Sequence, residues 1–399
     1  MKYWRGYLTA GILLFFSWAL QQFAQTHQEL IDMVYPYVTR MLQTMLAEWS
    51  ATVPFLLWQL LAVLLGLIVI ASIVLMIVLR WNPIQWFGWV LAAASLVMFL
   101  QTGVYGLNYY AGPLADDIRL EVGEYTLEEL EEAAVYYRDQ ADALAKKMKR
   151  DASGNLIYPD FETLAAQAGD GFESLTYERY LSVFAGSTVP VKKLGWADMY
   201  SSMGIDGFTF FLTAEAAVNP NIPVVAQPFI MCHEMAHRMT IANEGDANFA
   251  AFLACQANES EYFQYSAYFM AYRYCYNALY SAAGSAAAQR VNKDISDELS
   301  QDLTAYRNYY DQAKDEKATE FANTVNDTYI KASGDAEGVA SYGQVCDLLV
   351  GWHIQEVVLP QIVIPEPDFD PMDKNQVDVT DITDEIEDSE TEPTEAEEE

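Results

Sequence analysis

Basic residues and paired thiols are scarce in this chain. Lys and Arg number 22 against 56 Asp and Glu, a formal net charge of −34. That balance excludes nucleic acid and anionic membrane surfaces as electrostatic partners, because both would repel it. The four cysteines, Cys232, Cys255, Cys275 and Cys346, include no CxxC pair, so no thiolate-based zinc motif is present. In an exported domain they can oxidise into one or two disulfides. Cys232 and Cys255 are expected on helices as small apolar residues, the commoner role. Histidine is equally rare, at four residues. No internal repeat is found.

Apolar sequence is abundant at the N-terminus. Gly6–Leu20 follows Lys2 and Arg5 and is short for a span. It reads as a retained signal anchor, since no small-x-small cleavage site follows it; a cleaved signal is the alternative. Val53–Leu79 carries no charge and exceeds the roughly 20 residues that cross a bilayer core. Ile84–Tyr105 is also uncharged and is bordered by Trp86, Trp89, Tyr105, Tyr109 and Tyr110, like an interfacial aromatic belt. Lys2, Arg5 and Arg80 set the orientation: N-terminus inside, the loop between the first two spans outside, Arg80 inside, and everything after Tyr110 outside. A multi-pass protein of the cell membrane is implied, with its main domain and C-terminus extracytoplasmic.

Helical patterning dominates after Ala111. Thr126 and Glu129 form a T-x-x-E capping box ahead of a helix ending in lysines. Further helices are expected over Tyr177–Ala185, Tyr262–Ala283 with an aromatic core stripe, Ile295–Ala313, Phe321–Ala332 and Gly338–Val358. Gly207–Thr213, "GFTFFLT", reads as a strand. The segment 364–399 is acidic and nearly free of core-type residues, so it is expected to be disordered.

The chemistry concentrates in "MCHEMAHRMTIANEGDANFAAFLAC", Met231–Cys255. Residues four apart share a helix face, so His233 and His237 point the same way and can share one Zn2+. Glu234 is placed to take a proton from water that the metal has acidified. A third ligand must come from Glu244 or Asp246. On one continuous helix Glu244 would lie about 10 Å beyond His237, too far for a common metal. The stretch is therefore expected to be two helices with a reversal near Ile241–Asn243, and Asn243 capping the second. Glu244 is the preferred ligand. Asp246 is the alternative ligand or, like Asn248, a partner that orients an imidazole. The competing reading is a buried helix with two hydrogen-bonded histidines and Glu234 paired to Arg238 at the surface. In a peptidase the preceding strand would supply an edge for an extended peptide substrate, with Glu215 and Asn219 near the cleft or merely in a turn leaving the strand. Tyr342 or His353 is a candidate oxyanion donor.

These segments resemble a bacterial membrane family known as domain of unknown function 3810, whose members pair N-terminal spans with an extracytoplasmic HExxH domain. The resemblance rests on "YPYVTRML" (Tyr35–Leu42), "GLNYYAGPL" (Gly106–Leu114), "GIDGFTFFLTAEAAVN" (Gly204–Asn219), "PFIMCHEMAHR" (Pro228–Arg238), "EGDANFAAFLAC" (Glu244–Cys255) and "SYGQVCDLL" (Ser341–Leu349). It reaches about His353 and leaves out the acidic tail. The family usually carries E-x-E-A-N-F where this chain has Asp246, a shorter side chain. The E-x-x-A-N spacing is also similar to the E-x-x-A-D segment of membrane gluzincin peptidases, where the first Glu ligates zinc. The expectation is a mainly α protein. Residues 1–110 would form a membrane domain with spans at about 6–20, 53–79 and 84–105, and 111–363 a mostly helical, zincin-like extracytoplasmic domain with a short β element. The expected activity is a membrane-anchored zinc metalloendopeptidase acting on a protein or peptide. The alternative is a non-catalytic envelope protein whose helical domain binds a partner and whose metal site is structural or degenerate.

Overall fold

The computed structural model describes residues 2–178, 180, 183–333 and 344–361. Tyr342 and the acidic segment 364–399 lie outside the described residues. Met1–Val357 forms one compact unit and Val358–Glu399 a second.

Among the described residues, three helices are long and apolar enough to cross a membrane: α1 (Arg5–Thr26), α3 (Leu57–Val78) and α4 (Pro83–Val104). Asn82 caps α4, its Oδ1 accepting from Ile84 N at 2.9 Å, and Pro83 takes the first turn where its missing N–H costs nothing. Helices α1 and α4 run parallel, joined by facing stripes of small residues: Gly6, Ala10, Ser17 and Ala24 against Gly88, Ala92, Ser95 and Thr102. A Cβ on Gly6 would sit 2.4 Å from the Gly88 carbonyl carbon, so the backbones touch there, as apolar helices do when packing rather than water drives association. The segment between the first two spans, expected as a loop, is a 23-residue helix, α2 (Gln28–Ser50). It buries Ile31, Thr39, Arg40, Gln43, Ala47 and Ser50 and exposes its apolar face. Its polar stripe is the packed one, the reverse of a helix at a soluble surface.

The helical domain follows. After α5 (Leu114–Ile118), α6 (Leu127–Ala145) starts at the Thr126–Glu129 capping box, which is formed in both directions. Helices α7 (Phe161–Gln167) and α8 (Asp170–Glu178) come next. The helix expected over Tyr177–Ala185 lies partly outside the described residues; among those described, α8 ends at Glu178, and Val183 and Phe184 are buried in a turn. That turn passes beneath Met239, where a Cβ on Gly186 would be 2.5 Å from the Met239 side chain.

A three-stranded sheet of order β1-β3-β2 stands between the spans and the helices. Here β1 (Lys192–Lys193) is parallel to β3 (Glu215–Val218), and β2 (Gly207–Phe210) is antiparallel to it, with Phe208 opposite Ala217. A short helix, α9 (Ala197–Met203), joins β1 to β2. "GFTFFLT" therefore supplies a strand only to Phe210; Ala214, at φ 50°, turns the chain into β3. Helices α10 (Gln227–Arg238), α11 (Glu244–Ala257) and α12 (Glu261–Val291) build the core. The aromatic stripe of α12 is core as expected, with Phe263, Tyr265, Phe269 and Tyr272 buried. Helices α13 (Asp297–Ala313), α14 (Glu316–Ser333) and α15 (Gln344–His353) complete the described domain. All four cysteines are free and buried.

Candidate metal centre

Helix α10 ends where the spacing argument requires. Thr240 takes a left-handed conformation (φ 74°), and Ile241 N returns to Ala236 O at 3.1 Å, closing the helix. Asn243 then caps α11, its Oδ1 accepting from Gly245 N at 2.8 Å and Asp246 N at 3.1 Å. The reversal places Glu244 in the first turn of α11, where the helix dipole favours an anion, and returns it to the two histidines.

Three side chains converge. His233 Nε2 and His237 Nε2 are 3.1 Å apart, and Glu244 Oε2 is 3.3 Å from the first and 3.5 Å from the second. His233 and Glu244 are buried and His237 is partly so, and these three residues form a cluster able to hold a metal ion. Glu244 Oε2 has no hydrogen-bond donor of good geometry, and His233 Nδ1 is also buried without a partner. His237 Nδ1 faces Ile241 O at 2.8 Å, a bond that puts the ring proton on Nδ1 and turns Nε2 toward the cluster. Burial alone would raise the Glu244 carboxyl, but the two imidazoles outweigh it and hold the group well below the usual carboxylate range. For His237, burial would lower the imidazole. The Glu244 charge, the Glu234 charge and the Ile241 carbonyl reverse that and lift it to about 9.

Glu234 leaves α10 on the side of β2. Thr209 Oγ1 donates to its Oε2 at 2.7 Å and lies 2.9 Å from its main-chain carbonyl. A Cβ on Gly207 would stand 2.4 Å from Glu234 Oε1, so glycine there is what lets the strand approach the carboxyl. Burial pushes the Glu234 carboxyl up, opposed by the two imidazoles and Thr209. The surface pair Glu234–Arg238 is not formed: Arg238 is buried and donates to Ser187 O at 2.9 Å and Val189 O at 2.6 Å.

The remaining candidates fall elsewhere. Asp246 Oδ2 accepts from Leu114 N at 3.1 Å and lines a cavity of about 370 Å³ shared with Arg40, Asn108, Asp117 and Asn243. Asn248 Oδ1 accepts from the Tyr274 hydroxyl at 3.2 Å. The orienting of His237 falls instead to a main-chain carbonyl. Glu215 is sequestered under α3, accepting from Leu57 N, Trp58 N, Lys192 Nζ and Thr213 Oγ1 at 2.7–2.9 Å. Asn219 is fully buried and ties the β2 approach together through Ser201 Oγ and Ile205 O. His353 packs against the Tyr136 and Tyr137 rings, and burial lowers its imidazole.

Sequence reasoning missed Thr209, the partner of Glu234, and Asp206, a half-buried carboxylate in the field of His233 that accepts from the Tyr310 hydroxyl at 2.7 Å. Glycine opening a strand just before Thr209 was the available signal. Sequence reasoning also missed how α2 and α4 reach the site. Tyr105, the residue that ends α4, donates its hydroxyl to His237 O at 3.1 Å, and Arg40 Nε of α2 donates to Met239 O at 2.9 Å.

No curated protein and no solved structure matches the chain. The model of the family described as "Protein of unknown function (DUF3810)" matches residues 31–350, a stretch that runs from α2 through the metal-type cluster into α15, and the chain belongs to that family.

Proposed function

We propose that this protein is a membrane-anchored zinc metalloendopeptidase with its helical domain outside the cytoplasm. His233, His237 and Glu244 are the ligands and Glu234 is the general base. One observation carries the reading. Ligand atoms about 2.0–2.1 Å from a tetrahedral zinc stand about 3.3 Å from one another, and the three ligand atoms here stand 3.1, 3.3 and 3.5 Å apart. Two imidazoles and one carboxylate leave a fourth position for water or substrate, the donor set of a catalytic rather than a structural site.

When bound, zinc supplies Lewis acidity, lowering the pKa of water and polarising a carbonyl. The chain's own residues do the rest. Glu234, adjoining the ligand His233, is the group that accepts the proton from water and passes it to the leaving amine. Thr209 holds that carboxyl in place. Strand β2 lies at the edge of the sheet next to Glu234, which suits an extended peptide. The outside placement is supported by Lys2, Arg5 and the Arg80 turn, which share the end of the α1–α4 pair where Gly6 meets Gly88, the end opposite the domain.

The test compares membrane and shed proteins of cells expressing wild type or Glu234→Gln. The variant should keep its zinc and lose about 10²–10⁴-fold in hydrolysis, so that uncut membrane proteins accumulate. Identical profiles would remove the hydrolase reading.

A further inference from the structure

Helix α2 presents an inverted surface. Its packed face is polar: Thr39 donates to Asn108 Oδ1 at 3.1 Å, Arg40 Nε to Met239 O at 2.9 Å and Gln43 Nε2 to Phe211 O at 2.9 Å. Its outward face is apolar. Leu30, Met33, Val34, Val38, Met41 and Met45 follow helical spacing, and Met33 and Met41 are each 64% exposed. Tyr37 and Trp49 flank this stripe, also exposed, and the charged Glu29 and Glu48 stand at the two ends of the helix. A contiguous apolar face of this kind marks a contact surface.

The path of the chain says what covers it. Helix α2 is about 35 Å long, enough to cross a bilayer core. Yet both of its ends stay on one side. Its first turns pack where α1 ends and α4 ends: Ile31 clusters with Ala24 and Leu107, and Tyr35 donates to Thr102 O at 3.2 Å. Its last residue, Ser50, shares Lys192 Nζ with Phe55 just before α3 begins, at 2.8 and 3.0 Å. Helix α3 starts on Glu215 of the domain, and α4 ends on His237 of the domain. Three candidate spans thus turn the same end toward the domain, and α2 connects two of those ends without crossing.

We infer that α2 lies flat in the interfacial layer of the bilayer, apolar face in lipid and polar face against the metal-type helix α10. The occupant of this face is the lipid surface that α1, α3 and α4 already enter, one residue before α2 and six residues after it. The contact is apolar, so it does not depend on anionic lipid and is compatible with the acidic chain. It also ties the cluster to the membrane, because Arg40 and Gln43 join α2 to the end of α10 and to the turn after β2. The inference rests on the three spans and is independent of the hydrolase reading.

The test uses the full chain in nanodiscs of phosphatidylcholine, with a nitroxide on Val38→Cys or, separately, on Met41→Cys. The native cysteines are buried, and unsubstituted protein gives the background label. Power saturation measures collisions with oxygen, which enters lipid, and with a nickel chelate, which stays in water. Leu67→Cys in α3 and Tyr177→Cys, 95% exposed on the helical domain, serve as lipid and water references. Both α2 positions should lose nickel collisions relative to position 177 and gain oxygen collisions toward the position 67 value. Nickel collisions equal to those at 177 would overturn the inference by placing the face in water. Loss of both collision types would overturn it in favour of a second protein chain on this face.

Discussion

Two buried glutamates in this domain have opposite surroundings. Glu215, 2% exposed, receives two main-chain N–H groups of α3, the Lys192 ammonium and the Thr213 hydroxyl. Glu244, 8% exposed, faces two imidazole nitrogens, and its Oε2 has no donor of good geometry. Burying a carboxylate is costly unless its lone pairs are used. At Glu215 the protein supplies all the partners, and the carboxylate joins α3 to the sheet. At Glu244 two imidazole nitrogens and the carboxylate oxygen are held within 3.1–3.5 Å of one another, a spacing that suits a shared cation. Residue type and burial are alike in both places; donor satisfaction separates the two carboxylates.

The largest effect should come from breaking the Glu244 pocket. His237→Ala should reduce zinc in the purified full chain from about one per molecule to none, read by elemental mass spectrometry. Glu215→Ala should leave zinc unchanged and lower unfolding free energy by about 3–5 kcal/mol, because Lys192 remains as an uncompensated buried charge; chemical unfolding in detergent measures it. If zinc instead followed Glu215 and survived His237→Ala, the two assignments would be exchanged. A smaller loss, about 1 kcal/mol, is expected for Asn243→Ala, which removes the α11 cap. That variant should also bind zinc more weakly, since the cap sets where Glu244 stands; unaltered zinc affinity would detach the cap from the site.

The comparison also explains what was legible in the sequence. The shared face of His233 and His237 follows from helical periodicity alone. The break before Glu244 follows from a distance, and Asn243 was a recognisable cap, so the local architecture of the cluster could be read. The three long apolar helices were equally plain, because uniform apolar runs need no partner to be recognised. Glu215 and Asn219 were harder. Their neighbours come from α3 and α9, and nothing local in "TAEAAVN" reveals a lysine 23 residues earlier or a span 158 residues earlier. Helix α2 has plain helical spacing, but which of its faces packs was hidden for a related reason: Thr39, Arg40 and Gln43 find their partners in distant segments, so the hydrophobic face points away from the protein. Thr209 was missed because a hydroxyl in a strand carries no signature until the facing helix is known.

The finest separation between the two pockets is protonic. Glu244 and Glu234 keep His237 charged in the metal-free protein up to about pH 9, overriding the burial that would neutralise it. Zinc binds the neutral imidazole, so at pH 7.5 uptake must expel about one proton per metal. Zinc affinity should therefore climb about tenfold per pH unit toward 9 and flatten above it, since a single proton competes with the metal. Titration calorimetry in two buffers of different ionisation enthalpy counts that proton. Glu244→Gln removes the chief cause that raises the imidazole, so proton release should fall together with affinity. Glu215→Gln should leave the proton count as in wild type, because the donors of that carboxylate are an ammonium, a hydroxyl and two amides of α3. Proton release near zero in wild type would mean that His237 is neutral before metal arrives. The Glu244 charge would then not act on the imidazole, and the electrostatic half of the contrast between the two glutamates would fail while the zinc count from His237→Ala still decided the other half.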